Sequence, residues 1–102
     1  MTRLELQKAG RYLSGRSRAR EFIDSMGNVT PGSRVVIDLG GIDWITQSFV
    51  SELLLSLKSR DIDIADIEVN ATDKQELFDR VEKEIDRLKK IWYETLEDRR
   101  AM

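Results

Sequence analysis

Val35, Val36, Ile37 and Leu39 form a nearly continuous apolar run broken only by Asp38, and this run restricts the fold more than any other feature of the chain. Three of its residues are β-branched, and it is far too short to fill a helix. It is bounded by Pro31 and Gly32 before it and by Gly40 and Gly41 after it. Such a run reads as a strand in the middle of a sheet, covered on both faces. A strand of that kind needs neighbours on both edges and helices to cover it, so the rest of the chain must supply them.

It supplies them in alternation. Leu4 and Leu6 alternate with Glu5 and Gln7, the period of a half-buried strand, and Tyr12 with Leu13 reads as a second short strand. Ser17 then stands as the N-cap of a helix to about Met26, with Ala19, Phe22, Ile23 and Met26 on one face. Beyond the central strand, Ile42, Trp44 and Ile45 cover the turn and Thr46 is placed as the N-cap of a helix ending near Lys58. Phe49, Val50, Leu53, Leu54 and Leu57 share one face of that helix; Ser48, Ser51, Leu55 and Ser59 lie on the other, with Leu55 the one large apolar residue on a polar stripe. A further strand is expected over residues 64–69, with Asp66 at a bend. Thr72 with Gln75 fits a capping box opening a helix to about Asp98, roughly 26 residues or 40 Å long. Its seam Phe78, Val81, Ile85, Leu88, Trp92 advances by three and four in turn, the repeat of a short coiled coil. Strands of about 17–20 Å cover only about half of such a helix. The rest, with Ile91, Trp92, Tyr93 and Leu96, must fold back, kink or meet another chain.

The expected fold is therefore α/β: a small mixed or mostly parallel sheet of about four strands with helices packed on it, and a long C-terminal helix. At 102 residues it reads as a single domain over residues 1–102, with 90–102 as a helical extension.

Composition then removes much of enzymology. With no cysteine and no histidine, disulfide scaffolds, thiolate metal sites, imidazole bases and the serine triad are excluded. The longest apolar run, Leu53 to Leu55, is far short of the roughly 20 residues that span a bilayer. Arg3 and Glu5 interrupt any secretory pattern at the start, so the expectation is a cytoplasmic protein. Asp38, Asp43 and Glu52 are the carboxylates that an open parallel sheet would bring toward its C-terminal edge. For Asp38, hydrogen bonding to the Gly40 to Thr46 turn outweighs general-base work. Gly40 and Gly41 match no phosphate-loop pattern and read as a tight turn with positive φ. We expect no enzyme, no cofactor and no metal.

The formal net charge of -2 conceals a division. Residues 1–34 hold seven basic and three acidic groups, whereas residues 35–70 hold two and seven. Arg11, Arg16, Arg18 and Arg20 form the basic centre; Asp61, Asp63, Asp66 and Glu68 form the acidic one. Opposed charge of this kind steers a charged partner. The arginines offer phosphate contacts to a nucleic acid, but neither a recognition helix nor a stacking platform accompanies them. Pairing with the acidic segment is the favoured reading. Ser48 falls in the first turn of the helix capped by Thr46, where a phosphate would meet free amides and the positive end of the dipole. The plainer reading is a serine chosen for local hydrogen bonding at a helix start.

The stretch from Val35 to Leu53, with Asp38-Leu39 ending a strand and Ser48-Phe49 and Glu52-Leu53 on the helix after the turn, resembles the signature of the STAS superfamily. It is most similar to a bacterial branch of STAS-like domains of uncharacterised function. Ser14 to Phe22 looks like the arginine-containing entry to that branch's first helix, so the likeness covers residues 10–70. The resemblance implies a small sheet with helices on it and a role in protein-protein regulation. In the anti-anti-sigma members, a serine at this turn is phosphorylated by a kinase with a histidine-kinase-like ATPase fold, which controls binding. Here Gln47 fills the acceptor position, Ser48 follows one residue later and Phe49 replaces a glycine.

The leading expectation is a STAS-like regulatory domain that binds another protein, a histidine-kinase-like ATPase or serine kinase, in a partner-switching system. Its contact residues are Gln47, Ser48, Ser51, Glu52 and Leu55, with Ser48 and Thr46 as candidate phosphorylation sites. Two other readings stay open. One is a nucleic-acid accessory protein using Arg11, Arg16, Arg18 and Arg20; the other is self-assembly through Leu88, Ile91, Trp92 and Leu96 into a homo-oligomer.

Overall fold

The computed structural model describes the backbone of residues 2–26, 29–70 and 74–101, and their side chains as far as Ile91. The order is β1 (Thr2–Glu5), a 3-10 turn (Leu6–Ala9), β2 (Tyr12–Leu13), α1 (Arg16–Ser25), β3 (Val35–Asp38), β4 (Trp44–Ile45), α2 (Gln47–Ser59), a second 3-10 turn (Ile64–Asp66), β5 (Ile67–Asn70) and α3 (Gln75–Ala101). All pairings are parallel. The strands form two small sheets, one of order β1-β3-β5 and one pairing β2 with β4, so the count is five rather than about four.

The two sheets are one ladder interrupted. After Glu5 pairs with Asp38, both chains leave the ladder, one through residues 6–11 and the other through 39–43, and meet again with Tyr12 opposite Trp44 and Leu13 opposite Ile45. Because the first detour is a residue longer, the register shifts by one. Asp43 and Trp44 both donate their backbone N–H to the Arg11 carbonyl, at 2.8 and 3.1 Å, which closes the rejoined pair.

Successive parallel strands added in one direction, with right-handed crossovers, place α1 and α2 on one face of the sheet. The two helices pack against each other there, and α3 packs beside α2 and along β5. Leu4, Val35, Ile37 and Ile67 face this layer and join one core with Ile23, Phe49, Leu54 and Val81. Val36 is buried but outside that core; its row across the sheet is Arg3, Val36, Glu68. The apolar run is thus central and, as expected, buried on both faces, with Val35 and Ile37 toward the helices and Val36 on the other side. That second face bears one valine on the rung between Arg3 and Glu68, because right-handed crossovers in one direction place α1 and α2 on the other face.

Two elements begin elsewhere than expected. α1 starts at Arg16, with Gly15 at φ +86 as a cap that makes no side-chain bond, and Ser17 lies inside the helix. The strand expected over 64–69 is a 3-10 turn followed by β5, because the Asp63 carboxylate accepts the Ala65 N–H at 3.0 Å and turns the chain there. The capping box at Thr72 falls outside the described residues. Along α3 the buried stripe is Leu77, Val81, Glu84, Ile85 and Leu88, rotated from the expected seam so that Phe78 is only half-buried. α3 runs on past Leu88 to Ala101.

Candidate functional site

Thr46 anchors the end of the molecule at which α1 and α2 begin. Its backbone N–H donates to the Leu13 carbonyl at 3.0 Å, fixing it to β2, and its φ of -91° and ψ of 158° hold it outside the helix. From that position Oγ1 accepts the Phe49 N–H at 3.3 Å, the expected N-cap bond. The Ser48 hydroxyl lies 3.2 Å from Thr46 Oγ1, so the two hydroxyls share a hydrogen bond at the positive end of α2. Ser48 is half-buried and Gln47 exposed.

α2 is wedged between α1 and α3, and this decides which of its polar residues reach solvent. On the α3 side, Gln47 Nε2 donates to Glu84 Oε2 at 3.2 Å, and Ser51, one turn on, is buried. On the α1 side, Glu52 pairs with Arg16 at 3.4 Å and Arg20 at 2.8 Å, and Ser56, one turn on, is buried. The expected polar face is therefore narrower than its sequence suggests. Ser51 is withdrawn from it, Glu52 is held by two arginines, and Ser48 with the 39% exposed Leu55 forms the open ridge. Small serines at the two flanks allow neighbouring helices to approach closely, a signal that a polar-versus-apolar reading treats as surface.

Three of the four arginines pair, as expected, with carboxylates of the acidic stretch 35–70, although not with its centre at residues 61–68. Arg11 pairs with Asp43 at 2.7 Å, Arg16 and Arg20 with Glu52, and Arg18 donates to the Ala9 carbonyl at 2.5 Å. The acidic centre lies ahead of β5 and within it, at the opposite end of the parallel strands, and there Glu68 pairs with Arg34. Asp24, on α1, is bound by Arg60.

Asp38, Asp43 and Glu52 stay apart, each engaged by its own cations. Asp38 accepts the Gly40 N–H at 2.9 Å and the Arg3 guanidinium at 2.7 Å, and these bonds hold its carboxyl below its ordinary value of 3.8. Asp43 is held below the same value by Lys74, at 2.5 Å, and by Arg11. Lys74 also donates to the Ile42 carbonyl at 3.3 Å, tying the start of α3 to the loop before β4. Among the described residues no group of three or more carboxylates is placed to hold a metal ion. Of Gly40 and Gly41, only Gly41 has positive φ, at +80°.

The residues assigned to self-assembly divide. Leu88 is buried in the core of the chain itself, because the stripe of α3 that meets α2 passes through it, whereas Ile91 is exposed. The side chains of Trp92 and Leu96 lie outside the described residues.

Three features escaped the sequence reading. Glu84 is only 3% exposed, with Gln47 on one oxygen and Arg87 on the other; the pair raises the Arg87 pKa, chiefly through their hydrogen bond. Its signal was present, since Glu84 falls three residues after Val81 and four before Leu88. Tyr12 and Trp44 stand opposite each other and outward, 68% and 42% exposed, while Leu13 and Ile45 beside them are buried. The Arg80 guanidinium lies 4.4 Å from the Trp44 ring centroid. No helix among the described residues is long and apolar enough to cross a membrane.

Comparison with protein-family models, with curated proteins and with solved structures gives no match.

Proposed function

We propose that this chain is a STAS-like regulatory domain that works without catalysis by binding a partner protein, in a partner-switching arrangement with a histidine-kinase-like ATPase or serine kinase. The observation that supports it is the shared hydrogen bond between the Thr46 and Ser48 hydroxyls at the start of α2, beside the exposed ridge that ends in Leu55. A phosphate on Ser48 would add negative charge at the positive end of a 13-residue helix, where free amides favour it. The same charge would lie one residue from Gln47, whose amide joins α2 to Glu84 on α3. Modification at that point changes both the ridge a partner meets and the contact that seats α3.

Affinity capture from the native cells, with mass spectrometry of both the partner and Ser48, tests this. The expected result is a protein partner whose binding to the unmodified chain is weakened at least tenfold by Leu55→Asp and altered by Ser48→Asp. A recovered partner that binds both variants as tightly as the parent chain removes the α2 ridge from the interface.

A further inference from the structure

We propose that Tyr12 and Trp44, with Arg11, Lys74 and Arg80 around them, form a second docking surface whose occupant is an acidic segment of a partner protein. The proposal rests on the reading that the chain binds a protein, but it uses neither Ser48 nor Leu55. Four observations carry it.

The first is the placement of the rings. Tyr12 and Trp44 occupy the same rung of the parallel β2–β4 pair, and the alternation that buries Leu13 and Ile45 turns both rings outward together. Neither ring belongs to the buried core that Leu13 and Ile45 join. Exposed tyrosine and tryptophan beside arginine is the composition that dominates binding energy at protein interfaces.

The second is charge. Asp43 is shared by Arg11 and Lys74, so one carboxylate answers two cations. Arg80 lies on the Trp44 ring and has no carboxylate partner among the described residues. Within these contacts three cations stand against one carboxylate, a local excess complementary to an acidic partner.

The third is shape. One surface groove of about 780 Å³ runs along α3 past Gln47, Arg80 and Glu84, and another of about 740 Å³ runs along α1 past Ser14, Arg18 and Phe22; neither is lined by Tyr12 or Trp44. The two rings stand outside both grooves as exposed side chains, open to a partner's surface.

The fourth separates a protein from a nucleic acid. A strand of nucleic acid needs a track of free cations along its backbone, beyond the few beside the rings. Arg80 covers one face of Trp44, Arg16 and Arg20 are held by Glu52, and Arg18 is held by the Ala9 carbonyl. An acidic peptide needs only the ring edges, the outer face of Tyr12 and the surplus charge.

The probe is a displayed library of random 16-residue peptides selected on the immobilised full chain, followed by titration of the enriched peptides as synthetic molecules. The expected result is enrichment of acidic peptides carrying an apolar residue. Tyr12→Ala or Trp44→Ala should weaken their binding at least tenfold, Arg80→Ala should weaken it several-fold, and Leu55→Asp should leave it unchanged. Trp44→Phe, which keeps an apolar ring, should restore most of the binding and guards against a folding defect; Tyr12, largely in solvent, gives an independent variant. Enriched peptides that respond to Leu55→Asp and not to the aromatic variants overturn this surface while leaving the proposed regulatory function standing. Failure to enrich any peptide, or tighter binding of a 20-nucleotide dT or rU oligomer with the same dependence on Tyr12 and Trp44, also overturns it.

Discussion

Gln47 and Glu84 connect α2 to α3: the amide of the first residue of α2 donates to a carboxylate that is buried on α3 and also bound by Arg87. The carboxylate is the central member, since Gln47 and Arg87 both have access to water and Glu84 does not. Removing either partner is therefore not symmetrical. Gln47→Ala leaves Glu84 with its guanidinium and should cost less than about 1 kcal/mol. Arg87→Ala leaves a buried carboxylate with one neutral amide and should cost about 1–3 kcal/mol. Glu84→Leu, which removes the charge and keeps the volume, should be close to neutral. Urea midpoints at constant m value rank the three; a larger loss for Gln47→Ala than for Arg87→Ala would contradict the scheme.

Thr46 makes a specific capping bond, and Ser48 does not cap. Thr46→Ala should destabilise the chain by about 1 kcal/mol, and Thr46→Ser should recover most of it. Ser48→Ala loses one half-exposed hydroxyl contact and should change stability by under about 0.5 kcal/mol. Thermal denaturation of the three variants checks the order.

Acid should weaken the fold through Asp38 and Asp43. Both carboxyls are held below their ordinary value of 3.8 in the folded chain, so their ion pairs stabilise it above that value and are lost as pH falls through the lower folded values. Stability should be level near neutrality and fall below about pH 4. Asp43→Asn, which removes the charge shared by Arg11 and Lys74, should flatten that decline while lowering stability at pH 7. Denaturant titrations from pH 7 to pH 3 read both effects, and an unchanged acid slope in the variant would remove Asp43 from the account.

Gly41 and Gly32 share a left-handed backbone and differ in surroundings. At Gly41, φ +80, an added Cβ would overlap the Gln7 side-chain amide, whereas at Gly32, φ +77, nothing lies within 4 Å. Each substitution by alanine should cost about 1–2 kcal/mol from backbone strain. Gly41→Ala should cost more, and Gln7→Ala in the same chain should remove only the excess. Additivity of the Gln7 and Gly41 changes in a double-mutant cycle would show that the two positions do not interact.

Much of the fold could be read from residues 35–46. The β-branched run, the two glycines and the threonine state a central strand, a turn and a capped helix in local terms, each decided within a few residues. Fewer of the site residues could be read so. The serines of α2 look alike in sequence, yet Ser51 is buried and Ser48 is open, because α3 stands on one flank of the helix and α1 on the other. Glu84 looks like one more charge on a solvated helix, and only its position between Val81 and Leu88 hints that it faces inward. Trp44 and Ile45 both read as covering the turn, and only the pairing of β4 with β2 decides that Ile45 is buried while Trp44 stands outward.

The sequence by itself determined the elements, their order and the division of charge, because helix periodicity, capping and strand patterning act over a few residues and need no distant partner. The tertiary structure alone decided which charges meet. Parallel strands carry the arginines around β2 to one end and Asp61, Asp63 and Asp66 ahead of β5 to the other, so within the acidic stretch it is Asp43 and Glu52 that meet the basic cluster. It also decided that the outer sheet face is left to Arg3, Val36 and Glu68, since right-handed crossovers in one direction place the connecting helices on a single side.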